Sequence, residues 1–389
     1  MTITNGVAPV AVPAATPAAE HGPEHVEQGV AYDAIILAGF GGPEGQDDVI
    51  PFLRNVTRGR GIPDERLEEV AHHYRHFGGV SPINAQNRAL KAALEAELAD
   101  RGIDLPVIWG NRNWGPFLPD ALREAHARGF RTLLGLATSA YSSYSSCRQY
   151  REDFAAALAD TGLDDLRIDK VRQYFDHPGF VQPFVDGVRG AIAELTDRGF
   201  TADSIRVLFS THSIPSEDAR RSGPDGHAYE RQHLAVAEVV MTEAGALGGG
   251  QDIGWELVYQ SRSGPPTQPW LEPDINDVIR GLPSRGIEAT VIVPLGFVSD
   301  HMEVLWDLDT EAMETADEVG IVAVRSATPG VDPAYVSGLV DLILERVTGT
   351  PTADRPAVTT LGPWYDVCRA GCCENARLGF RPAIAGVAP

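Results

Sequence analysis

The four cysteines of this chain are unevenly placed. The stretch WYDVCRAGCCENAR holds three of them, and the fourth lies more than two hundred positions earlier; they are Cys147, Cys368, Cys372 and Cys373. Zinc sites normally use paired C-x₂₋₄-C ligands, iron–sulfur clusters use four thiolates, and a disulfide between adjacent cysteines is sterically poor. The spacing therefore indicates a four-thiolate metal site and favours an iron–sulfur cluster, with zinc left open.

A row of acidic residues in GFVSDHMEVLWDLDTEAME is a second candidate for metal chemistry. The pattern predicts a helix that begins near Asp300. On this helix Glu303, Asp307 and Glu311 lie four residues apart on one face, where like charges repel one another and a divalent cation would relieve the repulsion. The alternative is structural, because Asp300 and Glu303 have the spacing of an N-terminal capping pair.

His212 stands in FSTHSIP, directly after an apolar run that is typical of a buried strand. At that position an imidazole either satisfies the strand end by hydrogen bonding or acts as a metal ligand or general base. The acidic row and His212 both follow predicted strands, which makes the metal interpretation of each one stronger.

The hydroxyl-rich loop TSAYSSYSSCRQYRED contains the isolated cysteine. Ser146 and Gln149 have the spacing of a capping box, which predicts a helix whose first residue is Cys147. The N-terminus of a helix favours the thiolate, and the thiolate is the form that binds metals.

Apolar runs alternate with amphipathic stretches along most of the chain, which is typical of βαβ units and parallel sheets. The runs that predict strands include LPVIWG, RTLLGLATS, IRVLFSTHS, GWELVYQS and ATVIVPLGFVSD. Ligands of open parallel sheets bind at the carboxyl ends of the strands. We predict a disordered tail at residues 1–28 and an N-terminal α/β domain at 29–180. A C-terminal α/β domain follows at 181–350, and a connector with the cysteine tail occupies 351–389.

The composition excludes several classes of protein. The 389 residues carry a formal charge of −22, from 54 acidic and 32 basic side chains, and such a surface does not bind nucleic acid without regard to sequence. No apolar run approaches the length of about 18 residues that a membrane span needs. The first lysine or arginine is Arg54, so the N-terminus lacks the charges of a secretory or transit signal, and a cytoplasmic location is expected.

Five motifs together resemble the ferrochelatase family. They are RGRGIP, HFGGVSPIN, FSTHSIP, YQSRSGPPTQPWLEP and GFVSDHMEVLWDLD, in family order across residues 32–347. The cysteine pattern and YSSYSSCRQYRED are similar to the actinobacterial type, whose members are coproporphyrin III ferrochelatases with a [2Fe–2S] cluster. The resemblance implies two similar Rossmann-like domains around a porphyrin cleft, insertion of Fe²⁺ with loss of two pyrrole protons, and a monomer without stable membrane insertion that acts in haem biosynthesis.

The resemblance also implies roles for individual residues. His212 and Glu303 would handle iron and protons, and Asp307 with Glu311 would form a path for cations or protons. The four cysteines would hold the cluster, for which we expect a stabilising or sensing role, because metallation itself involves no redox step.

Porphyrin contacts follow from the same motifs. Ser81, Tyr74 and Tyr150 match porphyrin-contacting positions. Phe40 departs from relatives with Tyr or Met, and a phenyl ring cannot ligate, so an axial oxygen would come from Tyr144 or, second, Tyr141. The propionates of the substrate would need local positive charge, for which the candidates are Arg58, Arg60, Arg112, His72 and His73.

Three alternatives remain open at this point. The porphyrin could be protoporphyrin IX, or the chain could be a related type-II chelatase that inserts cobalt or nickel. A different class is a haem- or iron-binding redox sensor in which the cluster is the functional site.

Overall fold

The computed structural model describes residues 25–386, apart from 60, 249–251, 265–266 and 376–380. Its strands form two separate four-stranded parallel sheets. The strands are β1 (Ala34–Gly39), β2 (Val107–Asn111), β3 (Thr132–Ala137), β4 (Arg167–Lys170), β5 (Ile205–His212), β6 (Gly254–Gln260), β7 (Ala289–Val293) and β8 (Val322–Arg325). The α/β fold class with parallel sheets is therefore confirmed.

The two sheets share one topology. Their strand orders are β2-β1-β3-β4 and β6-β5-β7-β8, so the second sheet repeats the order of the first. In each sheet the chain steps from the first strand to one side and then returns to the other side. Ligand sites of open sheets form at this reversal, at the carboxyl ends of the strands, which in the second sheet are the ends of β5 and β7.

Helices connect the strands and cover the sheets. They are α1 (Val49–Val56), α2 (Asp64–His76), α3 (Ile83–Asp100), α4 (Leu118–Ala127), α5 (Gln149–Thr161), α6 (Pro178–Asp197), α7 (Ser216–Arg220), α8 (Ala228–Glu243), α9 (Ile275–Gly281), α10 (Met302–Trp306), α11 (Met313–Val319) and α12 (Pro333–Thr348). A π-helical segment, Tyr144–Arg148, precedes α5, and another, Asp307–Ala312, joins α10 to α11. The sequence predicted a helix that begins at Cys147 with Ser146 as its cap, and this prediction is wrong. The helical segment begins at Tyr144, because the Ser143 hydroxyl caps it by accepting a hydrogen bond from the backbone N–H of Ser146.

Successive side chains of a strand point to opposite faces of its sheet, and both faces are covered. The strands therefore appear in the sequence as continuous apolar runs. In β1, Ile35 and Leu37 point into the largest core, whereas Ala34, Ile36 and Ala38 point into a second core under α4 and α5. Both faces of each sheet are buried, which is the usual state of parallel sheets. Residues of both sheets contribute to the largest core, so the two halves share it.

The last long helix, α12, packs against α6 and also against α3 in the N-terminal half. Arg101, at the end of α3, donates from Nη1 to the Asp341 carboxylate at 2.6 Å and from Nη2 to the Ser337 carbonyl at 3.2 Å. The helix that the sequence assigns to the second domain therefore contacts both halves.

A buried ion network joins the connector to the core. The fully buried Arg172 forms a bidentate pair with Glu345 of α12, with N–O distances of 2.9 and 3.0 Å. It also donates to Asp176 at 3.2 Å and to the Pro356 carbonyl at 2.9 Å. Nearby, Arg355 donates to the buried Asp366 carboxylate at 2.6 Å.

This network corrects part of the predicted N-terminal tail. Residues 1–24 lie outside the described residues, but within the remaining part of the predicted tail Val26 and Glu27 are held by specific hydrogen bonds. The Val26 N–H donates to Asp366 at 2.8 Å, its carbonyl accepts from Arg355 at 2.7 Å, and Glu27 accepts from the Thr352 N–H at 2.7 Å. Composition could not indicate this, because all three partners lie more than 300 residues away.

We expect Arg172→Met to lower the free energy of unfolding by about 3–5 kcal/mol, because it leaves the buried Glu345 and Asp176 carboxylates without their partner. The matched control is Arg123→Met, which breaks the exposed 2.7 Å pair with Asp120 and should cost about 1 kcal/mol or less. Chemical denaturation of both variants measures the difference, and equal losses would contradict the assigned importance of the network.

Candidate functional site

His212 is the last residue of β5, at the carboxyl edge of the second sheet. Its Nδ1 contacts the Ser213 carbonyl oxygen at hydrogen-bonding distance. A carbonyl can only accept, so Nδ1 carries the proton and Nε2 of the neutral ring presents a lone pair. The side chain is about one-third exposed, which leaves Nε2 accessible.

Glu303 lies opposite His212 in the first turn of α10. Its Oε2 is 3.6 Å from His212 Nε2, which is too long for a hydrogen bond. The imidazole lone pair and the carboxylate are both acceptors, so their approach favours a proton or a cation between them. The structure thus brings together the two residues that the sequence singled out separately.

The helix that carries Glu303 begins two residues later than predicted. His301 caps it, because its Nδ1 accepts from the Glu303 N–H at 3.2 Å. Asp300 instead pairs with Arg325 at the end of β8, at 3.2 Å. The capping interpretation of Asp300 and Glu303 is therefore wrong, and the Glu303 carboxylate is not engaged in a cap.

Asp307 begins the π-helical segment and lies between two polar side chains that the sequence analysis did not select. Ser261 donates a hydrogen bond to Asp307 Oδ2, and Gln260 Nε2 lies 3.4 Å from the same oxygen. Burial raises the pKa of Asp307 to about 7, the Ser261 hydrogen bond opposes the rise, and the charges of Glu303 and Glu311 add to it. The three carboxylates therefore influence one another electrostatically, but a π-helical segment that begins at Asp307 replaces the continuous α-helix that the predicted row assumed.

Gln260 and Ser261 could have been identified by the strand-end rule. They end β6 and begin the loop after it, at the same edge of the sheet as His212. Ser210 of β5 donates to Gln260 Oε1 at 2.6 Å, which fixes the amide so that its NH₂ group faces Asp307.

The N-terminal half supplies the opposite wall of this region. Tyr74 of α2 packs with Phe52 and with Met302 in a small buried cluster. Burial raises the pKa of the Tyr74 hydroxyl and the Glu303 carboxylate adds to the rise, so this ring lies close to the acidic group. Further out, His73 stacks on Trp306 at 4.0 Å, and the Trp306 indole N–H donates to Glu311 at 2.9 Å.

The other predicted porphyrin contacts differ in exposure. Ser81 and Tyr150 are buried, each only 3% exposed, whereas Tyr144 is half-buried and donates to Glu152 at 3.2 Å. Tyr141 is buried and stacked on His233 at 3.6 Å, which leaves Tyr144 the more accessible of the two axial candidates.

Among the predicted cations, Arg58 is exposed and donates to Asn55 at 2.6 Å. Arg112 lies over the Tyr150 ring at 4.4 Å and near Phe40 at 5.9 Å, and it pairs with Asp153. Arg60 lies outside the described residues.

The four cysteines meet in one buried cluster, each at most 4% exposed, without a disulfide. Cys372 Sγ lies 3.8 Å from Cys373 Sγ, and Cys373 Sγ accepts from the Gly223 N–H at 3.1 Å. Hydrogen bonds from the Cys147 and Cys372 thiols lower the pKa of Cys368 well below its ordinary value, with further help from Arg151 and Lys170. As placed, no set of three or more His, Cys, Asp or Glu side chains in the described residues could hold a metal ion.

We expect the Asp307 carboxyl to titrate near pH 7, because burial raises its pKa. Ser261→Ala removes a hydrogen bond that lowers this pKa, so the pKa should rise further. Difference infrared titration measures both values, with Asp307→Asn as the control that identifies the band. A wild-type value near the ordinary aspartate pKa of about 4, or a decrease in the Ser261 variant, would contradict the assignment.

Comparison with known proteins agrees with the motifs. The family model described as Ferrochelatase matches residues 32–347. The coproporphyrin III ferrochelatase of Leifsonia xyli subsp. xyli is 70% identical over 380 residues, which cover 94% of this chain and 97% of the relative. The protein of that name from Tropheryma whipplei is 59% identical over 366 residues, covering 92% and 93%, and that from Streptomyces griseus subsp. griseus is 54% identical over 365 residues, covering 91% and 96%. This chain therefore belongs to the ferrochelatase family.

Proposed function

We propose that this protein inserts Fe²⁺ into coproporphyrin III and releases two pyrrole protons, giving Fe-coproporphyrin for haem biosynthesis. The observation that carries the proposal is the approach of His212 Nε2 to Glu303 Oε2 at 3.6 Å, with both atoms acting as acceptors. Such a pair can take a proton from a pyrrole nitrogen or pass on a cation, and metallation requires both steps.

His212 is suited to the proton step. Its Nδ1 proton is held by the Ser213 carbonyl, so Nε2 is the atom that accepts a pyrrole proton. The imidazolium that forms then faces the Glu303 carboxylate, which stabilises the positive charge. Imidazole is the side chain that most often acts as a general base, and here it can pass the proton on to the carboxylate that it faces.

The acidic group provides an outlet for the released protons. Asp307 has a pKa of about 7 and lies between Glu303 and Glu311, so it can accept and release protons under neutral conditions. Glu303 and Glu311 are exposed, and Glu311 is fixed by the Trp306 indole. The same oxygens would attract Fe²⁺ as it enters as substrate.

Coproporphyrin is supported as the substrate by the names of the relatives at 54–70% identity. Its four propionates need cations or solvent at the edge of the site. Arg112 and the exposed Arg58 lie on the N-terminal half and are the candidates for that contact. Tyr144 is the candidate for an axial oxygen, and Ser81, Tyr74 and Tyr150 are candidates for shaping the site rather than for direct ligation.

The four cysteines are proposed to hold a [2Fe–2S] cluster. The four buried thiols in one cluster would supply the Cys₄ ligation of such a group. Two iron ions would share these four thiolates, so the site would not need three ligands around a single ion. Two buried cations beside the thiols, Arg151 and Lys170, also suit an anionic metal group.

When bound, the cluster would cross-link two distant segments, and a hydrogen bond would join a third. Cys147 lies before α5, Cys368 to Cys373 lie in the tail, and Gly223 donates to Cys373 from the loop between α7 and α8. The residues themselves exclude water from the thiols, because all four are buried. A monomeric state and a cytoplasmic location stay predictions; among the described residues, no helix has both the length and the apolar character for a bilayer crossing.

Glu303→Gln should lower the rate of Fe²⁺ insertion by about 10²–10⁴-fold while porphyrin affinity is retained, because the amide cannot hold the proton or the cation. Anaerobic insertion assays measure the rate, and fluorescence quenching measures porphyrin binding. Glu314→Gln is the matched control, since Glu314 is exposed at the start of α11. Undiminished insertion by the Glu303 variant would overturn the site assignment.

The same assay with two porphyrins tests the substrate. Coproporphyrin III should be metallated with the higher kcat/KM, and a preference for protoporphyrin IX would overturn the proposal. Preference for Co²⁺ or Ni²⁺ and a different tetrapyrrole would instead favour a type-II chelatase, and porphyrin binding without metallation would favour the redox sensor.

Anaerobically purified protein should contain about two iron and two sulfide ions per chain and absorb in the visible region. Cys147→Ser should abolish the absorption and lower the unfolding temperature, because the tail loses its link to α5. Elemental analysis and thermal denaturation check the two outcomes. A colourless zinc protein would contradict the cluster, and an equally stable cluster-free variant would contradict its stabilising role.

A further inference from the structure

The side chain of Arg151, on α5 close to Cys147 in the sequence, is buried and only 1% exposed. It is fixed at its base, because Nε donates to the Ile384 carbonyl at 2.9 Å and the Arg151 carbonyl accepts from the Ile384 N–H at 3.1 Å. Gly386 makes room for the guanidinium, since a Cβ there would lie 1.9 Å from Arg151 Nη2. The tail therefore accommodates this arginine closely on one side.

The outer end of the guanidinium is not satisfied by the protein. Within the described part of the chain, Nη1 and Nη2 of Arg151 are buried and have no hydrogen-bond partner. Buried donors without partners are rare because each costs free energy. A Cβ at Gly386 would also lie 3.7 Å from the Cys368 carbonyl oxygen, so the guanidinium lies beside the segment that carries Cys368. Burial lowers the pKa of Arg151, but the charges of the four cysteines raise it and prevail.

A second cation lies on the same cluster. Lys170, at the end of β4, is 4% exposed and donates to the Val171 carbonyl at 3.0 Å and to Gln173 at 2.6 Å. Burial lowers the pKa of Lys170, and the Cys147 and Cys368 charges oppose the decrease. Both hydrogen-bond partners of Lys170 are neutral groups, and within the described part of the chain neither Lys170 nor Arg151 forms a salt bridge with a carboxylate.

We propose that Arg151 is the charge-compensating donor of the metal group on the four cysteines, donating from Nη1 and Nη2 to its sulfur atoms, with Lys170 as the second compensating charge. The inference rests on the proposed metal centre. An oxidised [2Fe–2S] group on four thiolates, like a zinc ion on four thiolates, carries a net charge of roughly −2, which these two cations offset. Hydrogen bonds to the sulfurs and local charge set the potential of such a group.

The proposal predicts a redox effect with a definite sign. Reduction adds a negative charge, which a nearby buried cation stabilises, so Arg151 favours the reduced state. Arg151→Met should lower the equilibrium constant for one-electron reduction at least tenfold, equivalent to a decrease of about 59 mV in midpoint potential. It should also raise the rate of iron release to a chelator at least tenfold.

Arg148 provides a matched control on the preceding turn. It is equally buried and also donates to the tail, to the Arg381 carbonyl at 2.6 Å, but its Nε is engaged by Glu152 at 2.8 Å. Arg148→Met should loosen the tail without shifting the midpoint potential. Arg151→Lys keeps the charge but not the two-pronged donor, so it should keep the potential within about twofold in the equilibrium constant while releasing iron faster.

The full chain is purified anaerobically for each variant, analysed for iron, sulfide and zinc, and titrated optically with redox mediators. A potential that moves no more in Arg151→Met than in Arg148→Met would overturn the role of Arg151 while the cluster stands. Absence of iron and sulfide from the wild type would overturn the cluster, and the role of Arg151 would then be decided by zinc release to a chelator. If Arg151→Met fails to fold, unchanged metal release in Arg151→Lys would overturn the proposal.

Discussion

The bidentate pair between Arg172 and Glu345 holds the rest of the structure in place. Arg172 follows β4 of the first sheet, Glu345 lies on α12 after the second sheet, and Arg172 also donates to the connector at Pro356. A charged pair removed from water gains free energy only when its geometry is good and its remaining donors are satisfied. The pair therefore fixes the positions of α12 and the connector relative to the N-terminal half. The neighbouring pair of Arg355 with Asp366 extends this to the segment that leads to the cysteine tail.

The parallel sheets impose a second constraint. Because both faces of each sheet are buried, polar side chains can stand mainly at the ends of the strands. His212 ends β5, Gln260 ends β6, and Glu303 follows β7, so the groups proposed to handle protons and attract cations converge at one edge. The thiols and their buried cations lie elsewhere, between α5 and the tail, which separates the proposed metallation from the proposed cluster.

The sequence predicted the fold class and the convergence of His212, Glu303 and Asp307 because strand periodicity and helical spacing are local properties. Proximity of Cys147 to the tail followed from chemistry alone, since a four-thiolate site needs every cysteine. Asp300 was misread because its partner, Arg325, is distant in sequence and outcompeted the local cap. The start of the helix predicted at Cys147 was misplaced because several serines in YSSYSS can serve as caps, and Ser143 is the one that caps the π-helical segment. Arg151 could not be identified, because its significance lies in the absence of acceptors around Nη1 and Nη2 within the described residues.

The position of the cysteines in the chain has a consequence for biosynthesis. Cys147 is translated before the second sheet, whereas Cys368, Cys372 and Cys373 are translated after it. The four-thiol cluster can therefore assemble only once both sheets have been synthesised, and Cys373 must also adopt a left-handed backbone conformation, with φ of 57°, to complete it. A nascent or prematurely terminated chain with a finished His212–Glu303 pair would still lack three of the four thiols. Metal binding at the cysteines, as proposed, would therefore occur only after translation has passed the half of the molecule with His212 and Glu303 and has reached the tail.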